Sequence, residues 1–215
     1  MSRRGFCLVV TGGIACGKST VCGFFRRWGA EIWDADDEAH ALLAPGGAAV
    51  KKLLRTFGSR IATNDGGIDR RRLGEIVFAD EAALARLNAI THPAILKAGS
   101  RFATSVRRRG VPGAAAIPLF FECGMAPGRA WPAVLCLSAT RDTMLRRLLG
   151  RGLTEDEALA RIASQWPVSE KAALSTDVIE NDGTLADLES RCLEVFVRYF
   201  GPPAVPPQAV RETPA

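Results

Sequence analysis

A glycine-rich stretch near the start of the chain decides its fold, and it reads Thr11-Gly12-Gly13-Ile14-Ala15-Cys16-Gly17-Lys18-Ser19-Thr20. It contains Gly-x-x-x-x-Gly-Lys-Ser, the pattern of a phosphate-binding loop. Its glycines let the backbone form a nest of N–H groups that point at phosphates, while Lys18 reaches the β- and γ-phosphates and Ser19 can ligate Mg²⁺. We therefore predict that residues 12–20 bind a nucleoside triphosphate.

The segments on both sides of the loop support this prediction. Residues 6–10 form an apolar run before the loop, and residues 21–25 continue it as a helix. A strand that leads through a glycine loop into a helix N-terminus makes an anion site, because the helix dipole lies behind it. A chance glycine turn between strand and helix is the alternative, and the agreement of motif, flanks and position disfavours it.

The composition limits the class of protein. With 215 residues, of which 47% are hydrophobic, the chain fits one domain with a sizeable core. No apolar stretch approaches the roughly 20 residues of a membrane span, and residues 6–10 are too short for a signal-peptide core of about 7–15 residues. The net charge of +5 is scattered and lacks an accompanying aromatic series. We expect a cytoplasmic protein with no membrane and no nucleic-acid partner, and a monomer is favoured.

The six cysteines show no Cys-x-x-Cys pair and no metal-like spacing with the two histidines. Cys7, Cys22 and Cys136 lie in apolar segments, which predicts small buried hydrophobic residues. Cys16 differs, because a thiol beside bound phosphates and a helix N-terminus can have a lowered pKa. We favour the simpler interpretation that Cys16 fills a variable position of the motif.

Strand and helix patterns alternate along the chain, which is typical of a parallel α/β sheet. We predict a three-layer α/β/α fold with a five-stranded parallel sheet. The predicted strands cover residues 6–10, 30–33, 114–120, 133–137 and 177–179. The predicted helices cover residues 19–28, 37–43, 48–57, 80–90, 93–109, 141–151, 154–165 and 185–200. Thr154 is the predicted N-cap of its helix, with Glu157 at the third position of a capping box.

The gap between the second and third predicted strands is about eighty residues long, which exceeds one crossover helix. We predict a domain over residues 1–200, with a core at 1–60 and 111–200 and a helical substrate lobe at about 61–110. The proline-rich residues 201–215 are predicted to be disordered.

Acidic residues follow the second predicted strand, at Asp34 and Asp36. In a parallel sheet, ligands bind beyond the carboxyl ends of the strands. A carboxylate there can orient an acceptor hydroxyl or take its proton during phosphoryl transfer. The alternative is that both acids cap the helix that begins near Asp37. Because no Asn-Lys-x-Asp base-reading motif occurs, the pattern favours a kinase over a GTPase.

With these residues in place, the sequence closely resembles the dephospho-CoA kinase family over about nine-tenths of its length. The resemblance is specific because the motifs occur in the family's order. They are residues 11–14 with 17–20, 32–36, Phe57-Gly58, 65–73, Val77-Phe78, His92-Pro93, 117–122, Arg147 with Arg151, Gln165 and 177–181.

The resemblance implies transfer of the γ-phosphoryl of ATP, with Mg²⁺, to the ribose 3′-hydroxyl of dephospho-CoA. It implies a P-loop kinase fold with a helical CoA-binding insertion and a mobile lid at about 141–166. Asp36 falls on the family's catalytic base, and Asp34 would support it or help hold the Mg²⁺ water shell. Lys18 would act on the transferring phosphoryl group.

Further site residues follow from the same resemblance. Arg70 would pair with the substrate's pyrophosphate, His92 would lie where the CoA lobe approaches the cleft, and Glu122 matches an acidic residue near the metal. Arg147 and Arg151, four apart on one helix face, would neutralise phosphate when the lid closes. Asn181 matches an adenine-contacting position.

Each of these residues also has an alternative, purely structural interpretation. Arg70 could be a solvated charge, Glu122 could be structural, and His92 could shape the start of the next helix. Arg147 or Arg151 could form surface ion pairs with acids at positions 155 and 156, which contribute little.

This chain also departs from the family's pattern. Ala15-Cys16 stands where the family usually has Gly-Ser, and Ala15 adds a Cβ where glycine can take a positive φ. Two other functions remain as alternatives: a different small-molecule P-loop kinase, acting on nucleosides or nucleotides, and a nucleotide-binding regulatory protein without turnover.

Overall fold

The computed structural model describes residues 5–129 and 131–204. Residues 201–204 follow the last helix, and the Ala204 N–H donates to the Trp28 carbonyl at 3.4 Å. We predicted disorder from residue 201 onward. Positions 205–215 of that prediction lie outside the described residues.

Five strands and nine α-helices occupy the described residues, with a short 3-10 helix at Ser59–Ile61. The strands are β1 (Cys7–Gly12), β2 (Glu31–Asp34), β3 (Gly113–Ala116), β4 (Ala133–Ser138) and β5 (Asp177–Glu180). The helices are α1 (Lys18–Arg27), α2 (Ala35–Leu43), α3 (Val50–Phe57), α4 (Arg70–Phe78), α5 (Glu81–Arg109), α6 (Arg141–Leu149), α7 (Glu155–Ala163), α8 (Val168–Leu174) and α9 (Leu185–Phe200).

The strands form one sheet in the order β2-β3-β1-β4-β5. Central β1 pairs in parallel with β3 and β4, so that Leu8 lies opposite Ala114 and Ala133, and β4 pairs in parallel with β5. This confirms the predicted α/β class and five-stranded parallel sheet. The sheet brings the end of β1, where the glycine loop begins, between the ends of β3 and β4.

Helices cover both faces of the sheet. Alternate residues of β1, Leu8 and Val10, join a core with α1 and α9, in which the Phe25 and Phe196 rings meet at 5.5 Å between centroids. On the other face α8 contacts β1 and β4, and Val106 of α5 packs directly over Gly113. Side chains alternate along a strand, so the buried β1 supplies both layers.

The third strand is shorter than predicted. It ends at Ala116 rather than at residue 120, and the last bond to β1 is from the Ile117 N–H to the Val10 carbonyl, at 3.0 Å. Pro118 has no N–H to continue the ladder. Residues 117–122 therefore leave the sheet at the edge where the glycine loop lies.

The prediction of two helices at 80–90 and 93–109 is wrong, because α5 runs unbroken through Pro93. A proline inside a helix removes one hydrogen bond and costs about 3 kcal/mol, so the apolar packing along this long helix outweighs the interruption. His92 consequently lies inside a helix and does not shape a helix start. Helices α4 and α8 were not predicted; Asp69 caps α4 by accepting from the Arg71 and Arg72 N–H groups.

The chain divides into two compact units. One comprises the residues up to Trp33 together with those from Phe102 onward, and the other is Asp34–Arg101. The second unit has its own core, built around Leu53, Ile61 and Leu73 from α3, the 3-10 helix and α4. None of the helices in the described ranges is long and apolar enough to cross a membrane.

Candidate active site

The glycine loop between β1 and α1 has the backbone that the motif predicts. Gly12 and Gly17 have φ values of 133° and 102°, which side-chain-bearing residues rarely adopt. A Cβ on Gly12 would lie 2.1 Å from the Leu137 carbonyl oxygen, and one on Gly17 would lie 2.4 Å from the Asn181 amide nitrogen. Both positions thus require glycine for space as well as for conformation.

Ala15 also has a positive φ, of 59°, and no other non-glycine residue in the described ranges does. This backbone costs an alanine about 1–2 kcal/mol. Its methyl group is buried, and it packs with Leu148 of α6 and Ala158 of α7. The departure from the family's smaller residue therefore gives the loop an apolar contact with the predicted lid segment.

The loop offers several donors to an anion. The N–H groups of Ile14, Ala15 and Gly17 have no hydrogen-bond acceptor among residues 5–129 and 131–204. The Lys18 ammonium lies across the loop, donating to the Gly12 carbonyl at 3.1 Å and the Gly13 carbonyl at 2.7 Å. Successive N–H groups at a helix N-terminus form an anion-binding concavity.

The carbonyl groups of the same loop are held from two other elements. The Asn181 amide, after β5, donates to the Cys16 carbonyl at 2.9 Å. The Arg147 guanidinium of α6 donates to the Ala15 carbonyl at 3.1 Å and to the Asn181 carbonyl at 2.9 Å. These three bonds fix the loop conformation before any ligand binds.

The loop borders a cleft of about 210 Å³. Arg151 joins Arg147 in its wall, and the ion pairs with the acids at 155 and 156 that were the alternative for these arginines are not found among the described residues. The lining residues are Ala15, Gly17, Thr20, Arg147, Arg151, Asn181, Gly183, Leu185 and Leu188. The structure thus gathers the two predicted arginines, Asn181 and the loop around one opening.

Cys16 is fully buried in the main core, and burial raises the pKa of its thiol, outweighing the opposing influence of Lys18. It therefore fills space, as favoured from the sequence, and lacks the lowered pKa of a reactive thiol. Burial also raises the pKa of Cys7 to about 12 and of Cys136 to about 11.

Glu122 occupies the segment that leaves β3, where it forms an ion pair with Lys171 of α8. The Trp166 N–H donates to the same carboxylate oxygen at 3.3 Å, and the Lys171 ammonium also donates to the Pro118 carbonyl at 3.3 Å. Sequence reasoning missed Lys171, because α8 itself was not predicted. A charged residue one turn after the core-facing Val168 was the available signal.

The two acids at the end of β2 and in the first turn of α2 differ in their surroundings. Asp34 is half-buried and caps α2, accepting from the Asp36 N–H at 2.8 Å, and burial raises the pKa of its carboxyl group. Asp36 is exposed on the first turn of α2. The capping alternative therefore applies to Asp34, while the carboxylate of Asp36 is accessible.

The second unit contains a separate cleft of about 230 Å³. Arg70 lies on its rim at the start of α4, together with His40 and the turn in which the Thr63 hydroxyl contacts Asp65. The lining residues are His40, Leu43, Ala44, Pro45, Thr63, Asp65, Gly67, Ile68 and Arg70. His92 is half-buried in α5, and burial lowers the pKa of its imidazole; it is not among the residues that line this cleft.

Three or more acids, histidines or cysteines with metal-binding geometry do not come together anywhere in the described ranges. A Mg²⁺ site made from side chains alone is therefore not present there. Mg²⁺ bound with a nucleotide needs few protein ligands, because the phosphates and waters supply the rest. The exposed Ser19 hydroxyl at the start of α1 fits that requirement.

The comparison with protein families decides the identity. The family model for dephospho-CoA kinase matches residues 6–187. The chain belongs to the dephospho-CoA kinase family. The resemblance inferred from the sequence is thereby confirmed, and the chain is a kinase.

The chain is also similar to relatives of this family and to solved structures. The dephospho-CoA kinase of Geobacter sulfurreducens is 43% identical over 193 residues, covering 89% of this chain and 97% of the relative. That of Geobacillus kaustophilus is 39% identical over 193 residues, covering 88% and 94%. Among solved structures, TT1252 from Thermus thermophilus has a TM-score of 0.70 at 32% identity, covering 91% of this chain and 98% of that one. Dephospho-CoA kinase from Campylobacter jejuni has a TM-score of 0.63 at 27% identity, covering 90% and 97%.

Proposed function

We propose that this kinase transfers the γ-phosphoryl group of ATP to the ribose 3′-hydroxyl of dephospho-CoA, giving CoA and ADP in the last step of CoA synthesis. The proposal is supported by the phosphate loop, residues 12–20, whose carbonyls are held by Arg147 and Asn181 in a member of this family. ATP is the co-substrate, and dephospho-CoA is the acceptor.

The loop binds the triphosphate of ATP in this proposal. Backbone N–H groups and the α1 dipole hold the β-phosphate, and Lys18 exchanges its two loop carbonyls for the β- and γ-phosphate oxygens. Arg151 reaches the same phosphates from the cleft wall, whereas Arg147 holds the loop in shape through Ala15 and Asn181. Asn181 and Thr20 border the nucleotide.

Asp36 is the proposed general base. As the 3′-oxygen attacks the γ-phosphorus, its proton passes to the Asp36 carboxylate, and the bond between the γ-phosphorus and the bridging oxygen breaks. The electron pair of that bond leaves with ADP. Exposure of Asp36 at the carboxyl end of β2 supports this role, since acceptors of open α/β sheets bind beyond the strand ends.

Mg²⁺ neutralises phosphate charge when it is bound with ATP. The Ser19 hydroxyl would hold it directly, and Asp34 would accept hydrogen bonds from its water shell. The half-buried Asp34 carboxylate, whose pKa is raised by burial, gains from a nearby cation. The raised pKa thus supports a role for Asp34 near Mg²⁺ in addition to its capping of α2.

The cleft of the second unit is the proposed site for the acceptor. Arg70 supplies a guanidinium for the pyrophosphate of dephospho-CoA, and the apolar wall formed by Leu43, Pro45 and Ile68 suits a partly apolar chain. Glu122 accepts a hydrogen bond from the acceptor. A substrate contact by His92 rests on the family's pattern alone.

We propose that the protein acts as a cytoplasmic monomer. Light scattering after size-exclusion chromatography checks the oligomeric state, and a mass of about 23 kDa is expected.

A steady-state assay with purified protein, ATP and Mg²⁺ tests the function. Dephospho-CoA, adenosine and nucleoside monophosphates are offered separately, and the product is analysed by mass spectrometry and phosphorus NMR. We expect a 3′-phosphorylated product from dephospho-CoA at the highest kcat/KM. Phosphorylation of adenosine or the monophosphates alone would favour a nucleoside or nucleotide kinase, and ATP binding without any product would favour a regulatory protein.

A further inference from the structure

The Lys171–Glu122 pair is buried at the edge of the sheet where the phosphate loop begins. The Lys171 side chain is completely buried, and that of Glu122 is 15% exposed. Taking charges out of water is costly, and replacing such a pair with apolar side chains is often neutral or stabilising. Stability alone therefore does not account for a lysine in this place.

The contacts of Lys171 link three parts of the site. Its ammonium donates to the Pro118 carbonyl, the same oxygen that receives the Thr11 hydroxyl bond at 3.2 Å, and Thr11 opens the phosphate loop. One turn earlier in α8, Val168 packs against the loop: a Cβ added to Gly13 would lie 2.5 Å from the Val168 side chain. Lys171 thus holds the segment after β3 against the loop.

The second carboxylate oxygen of Glu122 has no partner. Oε1 accepts from Lys171 and from the Trp166 N–H, whereas Oε2 is buried and receives no hydrogen bond within the described ranges. Buried polar atoms are nearly always paired, so an exception requires an explanation. Oε2 is an acceptor, which calls for a donor that arrives with a ligand.

The strand order indicates which substrate brings that donor. The cleft lined by Asn181, Leu185 and Leu188 lies on the side of β4 and β5, whereas the segment carrying Glu122 follows β3, on the opposite side of β1. ATP phosphates carry no donors of their own. Because Lys171 compensates the Glu122 charge, a neutral donor such as a hydroxyl suits this carboxylate better than a metal ion.

We propose that Lys171 is a positioning residue that holds the Glu122 carboxylate so that Oε2 accepts a hydrogen bond from a hydroxyl group of the alcohol acceptor. The inference rests on the proposed function and adds to it a buried lysine that the family resemblance did not assign. Lys171 touches no substrate and acts through Glu122 and the Pro118 carbonyl.

A single and a double variant together separate positioning from stability. Lys171→Met alone leaves the buried Glu122 carboxylate without its countercharge, so we expect a lower Tm and a lower kcat/KM. Lys171→Met with Glu122→Leu makes the site apolar, so Tm returns to within a few degrees of the wild type. The KM for dephospho-CoA stays about tenfold above the wild-type value, as for loss of one hydrogen bond to a charged group, and the KM for ATP changes less than about twofold.

Glu122→Gln gives a second measurement that keeps the shape of the side chain. It turns one carboxylate oxygen into a donor, so the acceptor KM rises, and because it also removes the countercharge of the buried Lys171 ammonium, Tm falls as it does in Lys171→Met. Glu170→Gln, the same change at an exposed position one residue before Lys171, is the matched control and leaves both quantities unchanged.

Three outcomes decide the proposal. Recovery of both Tm and the acceptor KM in the double variant would show that the pair is structural, and a rise in the KM for ATP instead would place the contact with the nucleotide; either result overturns it. If the wild type phosphorylates another alcohol and not dephospho-CoA, the proposed function fails. The variants are then assayed with that alcohol. A rise in its KM without a rise in the KM for ATP supports the role of Glu122, and an unchanged KM for the alcohol overturns it.

Discussion

The two clefts of this kinase differ in how their walls are held. Around the phosphate loop, the Arg147 and Asn181 side chains hold backbone carbonyls of the loop itself and of the segment after β5. The cleft of the second unit carries its polar groups, among them Arg70, Asp65 and His40, on exposed side chains. The first presents a backbone held by side-chain bonds, whereas the second, as the proposed acceptor site, would recognise its ligand with side chains. Changes in the first should therefore act through loop geometry, and changes in the second through individual contacts.

The largest effect is expected at neither cleft but at Asp36. Asp36→Asn removes the proposed base and leaves the braced loop unchanged, so kcat falls by roughly 10²- to 10⁴-fold. Calorimetric titration with a non-hydrolysable ATP analogue should give a Kd within about twofold of the wild type. Turnover at the wild-type rate would refute the assignment of the base.

Arg147→Ala tests the bracing of the loop. It leaves the carbonyls of Ala15 and Asn181 without their charged donor, and we expect a nucleotide KM roughly 10- to 100-fold higher. Arg146→Ala is the control, because that neighbour is exposed and contacts Thr143 instead. Equal kinetics for the two variants would mean that the loop holds its shape without Arg147.

Asp34→Asn tests the cost of a buried charge at the end of β2. Burial raises the folded-state pKa of Asp34 above its usual 3.8, so ionisation at neutral pH disfavours the folded state, whereas asparagine still caps α2. We expect the variant to unfold at higher urea concentration than the wild type at pH 7. The difference should shrink as the pH falls through the raised pKa and vanish below about 3.8, and a difference independent of pH would contradict this origin.

The smallest effect is expected for Ala15→Gly. Glycine relieves about 1 kcal/mol of backbone strain, but it loses a buried methyl group worth about 0.8 kcal/mol and adds freedom to the unfolded chain. These contributions nearly cancel, so urea unfolding should give a free energy within about 0.5 kcal/mol of the wild type. A loss above about 2 kcal/mol would show that packing of Ala15 against α6 and α7 dominates.

The local features of this fold follow directly from the sequence. The Gly-x-x-x-x-Gly-Lys-Ser motif predicts the loop and the positive φ at Gly12 and Gly17, since these are backbone requirements of neighbouring residues. Thr154 and Glu157 form the predicted capping box for the same reason. Alternating apolar runs predict the parallel sheet, because a buried strand needs apolar residues on both faces.

What the sequence could not predict depends on partners far apart along the chain. Arg147 bonds a loop 132 positions earlier, and the Asn181 amide reaches the carbonyl of Cys16, 165 positions away. The position of Lys171 one turn after the core-facing Val168 indicates burial, but no neighbouring residue identifies Glu122 as its partner. Pro93 misled the helix prediction because local propensity takes no account of the packing that keeps α5 continuous.

The most direct test of the contrast between the two clefts is a binding experiment on paired variants. Calorimetric titrations measure the Kd of an ATP analogue and of dephospho-CoA for the wild type, Arg147→Ala and Arg70→Ala. Arg71→Ala is the control for Arg70, because the Arg71 side chain is 88% exposed on the next position of α4.

We predict that Arg147→Ala weakens the ATP analogue by at least about tenfold and leaves dephospho-CoA within about twofold. Arg70→Ala should do the opposite, because it removes one guanidinium contact from the acceptor and nothing from the loop. If both variants weaken both ligands to the same extent, the two clefts do not divide the substrates between them, and the account is contradicted.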